Sequence, residues 1–255
     1  MKRQSLRRGL LLVSLLLFPV TLNFLSPYLI VVGASQGVVT GSFLAFAAMF
    51  VSAFLVGRGF CGWVCPGGGL QDACVPVNGH RVDGRGDWLK YAIWLLWLLG
   101  IAGAAAYAGG LTRISPLFMT ESGVSIDAPE RFVIYYGVLF IFVELSFVFG
   151  RRAGCHYICW MAPFMVVGKK LRDAVRIPTL HLRASTANCG SCGACTRGCP
   201  MSVDVRGLVL SGRMETPECI LCGECVDGCP RGAIHYSFGR VPKAARESEG
   251  MPDRP

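Results

Sequence analysis

"CGSCGACTRGCP", residues 189–200, and "CILCGECVDGCP", residues 219–230, decide the fold of the C-terminal part of this chain. Both read C-x2-C-x2-C-x3-C-P, and together they hold eight of the thirteen cysteines. The spacing sets three thiols two residues apart in a tight loop, which suits Gly190, Gly193 and Gly223. It sends the fourth thiol away from that loop. A secreted disulfide scaffold is short and polar, and this chain is neither, so the thiols read as metal or cluster ligands. Zinc sites lack the displaced fourth cysteine.

The run is that of bacterial ferredoxins. There, three cysteines hold one cubane [4Fe–4S] cluster and the fourth ligates the other. Cys189, Cys192, Cys195 and Cys229 are thus expected around one cluster. Cys219, Cys222, Cys225 and Cys199 are expected around the second. Two adjacent, cross-ligated cubanes form a path for single electrons. The intervening segment 201–218 has the length of the usual ferredoxin connection, and "RGAIHYS", residues 231–237, reads as a short strand. The charged, proline-containing stretch after Arg240 is expected to be disordered.

Upstream, the character is apolar. The chain of 255 residues is 53% hydrophobic and 16% charged, with mean hydropathy +0.49. Soluble domains carry about 25% charged residues. Four apolar runs, 9–32, 38–56, 88–108 and 132–149, approach the ~20 residues of a membrane span. The first contains Pro19, Asn23 and Pro27. It is longer than the apolar core of a cleaved signal, about 7–15 residues, and is read as an uncleaved span. Lys2, Arg3, Arg7 and Arg8 precede it. Arg58, Arg81, Arg85 and Lys90 lie between runs two and three, and Arg151, Arg152, Lys169, Lys170 and Arg172 follow run four. The other loops hold only Arg113 and Arg131, so both termini are expected in the cytoplasm. The net charge of +9 reads as loop charge, not as a nucleic-acid surface. The loop 109–130 is expected on the periplasmic side.

Two further thiol pairs stand at the cytoplasmic ends of runs two and four. "GFCGWVCPGGG", residues 59–69, carries Cys61 and Cys65, and "RRAGCHYICW", residues 151–160, carries Cys155 and Cys159. On a helix, residues i and i+4 share a face, so four thiols can meet at one point. Three roles are open to them: a further cluster or metal, a dithiol relay, or a structural brace. Cys74 reads as a free structural thiol. Glu144, inside run four, is either a proton acceptor or a hydrogen-bonded packing residue. None of His80, His156, His181 and His235 lies in a run, which argues against membrane b-haem. His156, between the second thiol pair, is a ligand or an interfacial residue. The chain has no dinucleotide-binding glycine fingerprint and no P-loop.

Four spans, C-x3-C motifs after the second and fourth, and a C-terminal two-cluster domain resemble the NapH-type membrane polyferredoxins. These are the membrane ferredoxin subunits of periplasmic nitrate reductase systems. Related proteins are the membrane half of a nitrous oxide reductase maturation flavoprotein and a ferredoxin-like protein of methylamine dehydrogenase clusters. Cys61, Cys65 and Pro66 match the first family motif. Cys155 and Cys159 match the second, with Trp160 where the family has proline. The resemblance implies an α-helical membrane protein of four transmembrane helices with a C-terminal α+β two-cluster ferredoxin-like domain. The expected division is a membrane domain 1–160, an interfacial linker 161–184, a ferredoxin domain 185–240 and a tail 241–255. The implied function is electron transfer between the quinol pool and a redox partner at the bacterial cytoplasmic membrane. The alternative is a maturation factor that reduces a metal or cofactor of another oxidoreductase.

Overall fold

The computed structural model describes residues 2–120, 124–126 and 129–241. Part of the loop 109–130 and the tail from 242 onward lie outside the described residues. The N-terminal part is helical. Its elements are α1 (Lys2–Leu16), α2 (Phe18–Thr21), α3 (Pro27–Ser35), β1 (Val38–Thr40), α4 (Gly41–Val56), α5 (Gly59–Trp63), α6 (Pro66–Cys74), α7 (Leu89–Tyr107), β2 (Arg113–Ser115), α8 (Pro129–Phe149), α9 (Ala153–Tyr157) and α10 (Ala162–Val175). The C-terminal part holds β3 (Thr179–Ala184), α11 (Ala194–Arg197), α12 (Val205–Leu210), α13 (Glu224–Asp227) and β4 (Ile234–Gly239).

The run 9–32, expected as one span, is broken. The chain bends by 59° between Lys2–Leu16 and Phe18–Leu25. Pro19 stands in the first turn of α2 and Pro27 in that of α3, where a missing N–H costs least. Asn23 between them donates to Thr120 Oγ1 at 2.7 Å and to the Met119 carbonyl at 3.3 Å. Run 38–56 opens as β1, paired in parallel with β2, and only then becomes α4. Thr40 caps α4 by accepting the Phe43 N–H. Its 16 residues rise about 24 Å, less than a ~30 Å hydrocarbon core. Among the described residues, two helices are long and apolar enough to cross a membrane, Gly84–Tyr107 and Pro129–Phe149, and a third if the bent pair counts as one. Their outer faces expose Leu96, Leu99, Val133, Ile134 and Phe140.

Inside, α4 packs on α10, α3 on α7, and α6 on α1 and α8. Phe164 of α10 meets Phe46, Trp94 and Trp97 edge-on, at centroid distances of 5.4, 5.3 and 5.7 Å. Beyond α10, β3 pairs antiparallel with β4 from Thr179↔Gly239 to Ala184↔Ile234. The segment read as a linker, 161–184, therefore contributes a strand to the C-terminal sheet. That sheet covers a second core of Leu182, Val205, Val209, Met214 and Ile234.

Candidate iron–sulfur sites

The two C-x2-C-x2-C-x3-C-P loops have matching backbones. Ser191 and Leu221, just before the second cysteine of each run, sit at φ 52° and 51°. Gly193 and Gly223, just after it, sit at φ 70° and 78° and begin α11 and α13. Left-handed conformations at non-glycine residues cost roughly 1–3 kcal/mol and concentrate at functional sites. Here they close each loop around a cavity. One cavity is lined by Cys189, Cys192, Cys195 and Cys229. The other is lined by Cys199, Cys219, Cys222 and Cys225. The two sets differ in access: Cys192 is exposed, whereas Cys222 and Cys225 are buried.

Each cavity offers four thiols, and Glu224, which also lines the inner one, is held by Arg7, which leaves the sulfurs as a donor set for a cubane. Backbone N–H groups reach the sulfurs: Leu221 to Cys219, Glu224 to Cys222, and Ala233 to Cys229 at 3.3 Å. Burial pushes the Cys219 thiol up to about 11 and the Cys222 thiol up to about 12, so these thiols keep their protons until a metal displaces them. Zinc fits poorly. A Zn–S bond of ~2.3 Å holds tetrahedral sulfurs about 3.8 Å apart. Among the described residues, the group of three potential ligand atoms gathered within 4.8 Å is instead Asp87, His156 and Glu218. That trio is an ion-pair knot. His156 Nδ1 meets Asp87 at 2.7 Å, and Glu218 is held by Arg58 and Lys90, each at 2.7 Å. Burial pushes the Glu218 carboxyl up, but the two cations prevail and hold it at about 2.

The second thiol sets converge, though not as one helix each. Cys61 lies in α5 and Cys65 beyond its end, capping α6 with φ −65° and ψ 120°. Cys155 lies in α9 and Cys159 past its end. The i,i+4 helical reading is thus corrected: the short α5 and α9 each end between the two thiols of a pair. The two turns repeat each other bond for bond. Cys61 N–H donates to Arg58 and Cys155 N–H to Arg152; Cys65 N–H donates to Phe60 and Cys159 N–H to Gly154. Gly68 and Ala162 direct N–H groups to the Cys65 and Cys159 sulfurs. All four thiols are 4% exposed and share one core with Met201, Ile220 and Cys222. Gln71 braces them, donating to Cys155 Sγ at 3.1 Å and accepting the Gly154 N–H at 2.8 Å.

Sequence reading missed the arginines. Arg58 and Arg152 stand three residues before the first cysteine of each pair and are fully buried. The signal was legible as a repeat, Arg-x2-Cys-x3-Cys. Arg152 donates to both Asp72 oxygens at 2.7 and 2.8 Å and to the Cys61 carbonyl at 2.9 Å. Also missed was the dock between the N-terminal helical part and the C-terminal domain. Gln4 donates to the Cys222 carbonyl at 3.1 Å, Arg7 bridges Asp72 and Glu224 at 3.0 Å each, and Trp63 Nε1 donates to the Leu221 carbonyl at 2.9 Å. Cys74 is buried and donates to the Leu70 carbonyl, as an inert thiol would. Glu144 is exposed on α8, opposite buried Phe142 and Ser146, and makes no polar contact among the described residues.

The family model described as a 4Fe–4S dicluster domain matches residues 188–234. A second, described as a 4Fe–4S binding domain, matches residues 38–74 and 131–178. An uncharacterized protein of Methanocaldococcus jannaschii is 26% identical over 167 residues, 61% of this chain and 56% of that one. YccM of Escherichia coli, named as an electron transport protein, is 25% identical over 193 residues, 71% of this chain and 52% of its own. The methylamine utilization ferredoxin-type protein MauN of Methylorubrum extorquens is 26% identical over 177 residues, covering 65% and 58%. The chain spans little more than half the length of each. No solved structure matches it. The chain carries 4Fe–4S ferredoxin-type domains.

Proposed function

We propose that this protein is an integral membrane electron carrier that moves electrons between the quinone pool and a redox partner protein. Cys189, Cys192, Cys195 and Cys229 hold one [4Fe–4S] cluster, and Cys219, Cys222, Cys225 and Cys199 hold the second. Such clusters supply one-electron exchange when bound. The chain's own part is to bury the inner site, expose the outer one at Cys192 and tune both with backbone N–H groups. Membrane crossings by Gly84–Tyr107 and Pro129–Phe149, with the N-terminus and ferredoxin-type domain in the cytoplasm as in NapH-type polyferredoxins, fit this reading. Arg3, Arg7 and Arg8 of the N-terminus all pair with the domain's acids Asp227 and Glu224.

The observation that carries the reading is the line of thiol sites. It runs from the exposed outer cavity, through the buried inner one, to the membrane face where Cys222 joins the core of the second thiol pairs. Names of relatives such as YccM, an electron transport protein, support it. The test is anaerobic mixing of the protein, reconstituted in lipid, with a short-chain quinol, following cluster bleaching. Reduction within seconds that a bound quinone analogue blocks is expected. No reduction by quinol, with copper or another metal reduced instead, would support the maturation role. Glu144→Gln is expected to slow quinol oxidation if this acid takes the proton. An unchanged rate would return it to a surface role.

A further inference from the structure

A cavity of about 440 Å³ lies between α4, α7 and α10, apart from the thiol loops. Its size falls within the roughly 300–1,000 Å³ of small-molecule pockets. Six aromatic side chains line it: Phe43, Phe46, Phe50, Trp94, Trp97 and Phe164. No lining residue is charged. Phe43 and Val51, both in the lining, are exposed on α4, so the cavity opens sideways between the helices. One of its walls, α7, lies in a helix long and apolar enough to cross a membrane.

Two indoles supply the polar side-chain atoms of this lining. Trp97 Nε1 is spent on the Pro27 carbonyl at 3.0 Å. Trp94 Nε1 is buried and, among the described residues, has no hydrogen-bond partner. A buried indole N–H normally finds one, and leaving it unpaired is costly. The inner wall is a separate observation. Phe46 belongs to the core that buries Cys61, Cys65, Cys155 and Cys159, and Trp97 and Phe164 pack against that core. The occupant that fits is uncharged, flat and apolar, with an acceptor for one N–H. A charged headgroup finds no counter-charge in this lining and would be costly to bury. An acyl chain fills the space but leaves Trp94 unanswered. A quinone ring packs against aromatic faces, accepts the Trp94 N–H at a carbonyl oxygen, and can pass its apolar tail out through the open side.

We propose that this cavity is a quinone-binding site, with Trp94 Nε1 as the hydrogen-bond donor to one ring carbonyl. Phe46 and Phe164 form the wall between the bound ring and the four-thiol core. The inference rests on the electron-carrier reading for the choice of a quinone, and it adds where the ring sits and which residue orients it.

The test is photolabelling of the full-length protein in lipid with an azido derivative of a short-chain benzoquinone, followed by peptide mapping. Label on Gly41–Val56 and Gly84–Tyr107 that excess unlabelled quinone displaces is expected. Trp94→Phe keeps an aromatic wall but removes the N–H, and is expected to weaken quinone binding about 3–10-fold, the loss of one hydrogen bond. Ala47 lines the cavity and is exposed, so Ala47→Trp is expected to block labelling while cluster absorbance persists. Leu99→Trp, at an exposed position of α7 outside the lining, is expected to change nothing. Label on other segments, with quinol still bleaching the clusters, would overturn this site and leave the electron-carrier reading standing. Label in the cavity that excess quinone does not displace would mark an acyl-chain groove and overturn the proposal. Displaceable label in the cavity without cluster bleaching by quinol would support the site and overturn the electron-carrier reading instead. Unchanged binding in Trp94→Phe would overturn the donor assignment. Mapping of the unsubstituted protein needs no variant to fold.

Discussion

Gly223 shows how a single residue shapes a site. Its φ of 78° is open to glycine at little cost, and a Cβ there would press on the Tyr236 hydroxyl at 2.6 Å. That hydroxyl donates to the Leu221 carbonyl of the same loop. Gly193, its counterpart at φ 70°, faces only the end of the Arg197 side chain at 3.1 Å. Gly223→Ala is therefore expected to deplete the inner cluster strongly, by roughly 1–3 kcal/mol of loop strain plus the clash. Gly193→Ala is expected to cost the outer cluster less. Absorbance at the cluster bands per mole of protein measures both; equal losses would show that the clash is relieved. The loops themselves were legible from sequence, because their signal is local: three thiols at fixed spacing, glycines at the turns, and a proline after the fourth. The left-handed Ser191 and Leu221 were not, since neither residue type announces that conformation.

At the scale of elements, short helices and paired charges join the N-terminal helical part to the ferredoxin-type domain. Asp72 of α6 receives Arg152 bidentately and Arg7 at 3.0 Å. Burial pushes its carboxyl up, but the two guanidinium groups prevail and hold it below the ordinary carboxylate value. A carboxyl lowered on folding contributes stability above its unfolded pKa of ~3.9, and that contribution is lost as pH falls through the folded value. The dock is thus expected to be insensitive to pH near neutrality and to loosen only below about pH 4. Asp72→Asn leaves buried Arg152 without its carboxylate and Arg7 with Glu224 alone, and is expected to cost roughly 3–5 kcal/mol, read as earlier thermal loss of cluster absorbance at pH 7. Gly62 of α5 is equally tight: a Cβ there would collide with the Ile220 carbonyl. Gly62→Ala is expected to separate the two parts, seen as faster proteolysis in segment 161–184; unchanged cleavage would mean that the backbones yield.

None of these dock contacts was visible in the sequence, because their partners lie far apart along it. Arg7 and Glu224 are 217 residues apart, and a basic N-terminus reads equally well as a topology signal. The break in run 9–32 had its cause in view, at Pro19 and Pro27. Hydropathy alone joined what these prolines and Asn23 divide.

At the scale of the whole molecule, the thiol sites form a series graded by burial. The outer cavity exposes Cys192, the inner one buries Cys222 and Cys225, and the duplicated turns bury all their cysteines. Burial and hydrogen bonding set cluster potentials, so the sites are expected to titrate apart, not together. The most direct measurement of the central claim is a potentiometric titration of the lipid-reconstituted protein followed by electron paramagnetic resonance. The account predicts reduced [4Fe–4S] signals that appear in separate one-electron steps, with line broadening as neighbouring clusters are reduced together. A protein that carries no cubane signal at any potential, or whose signals vanish only with Cys74→Ser, would contradict it.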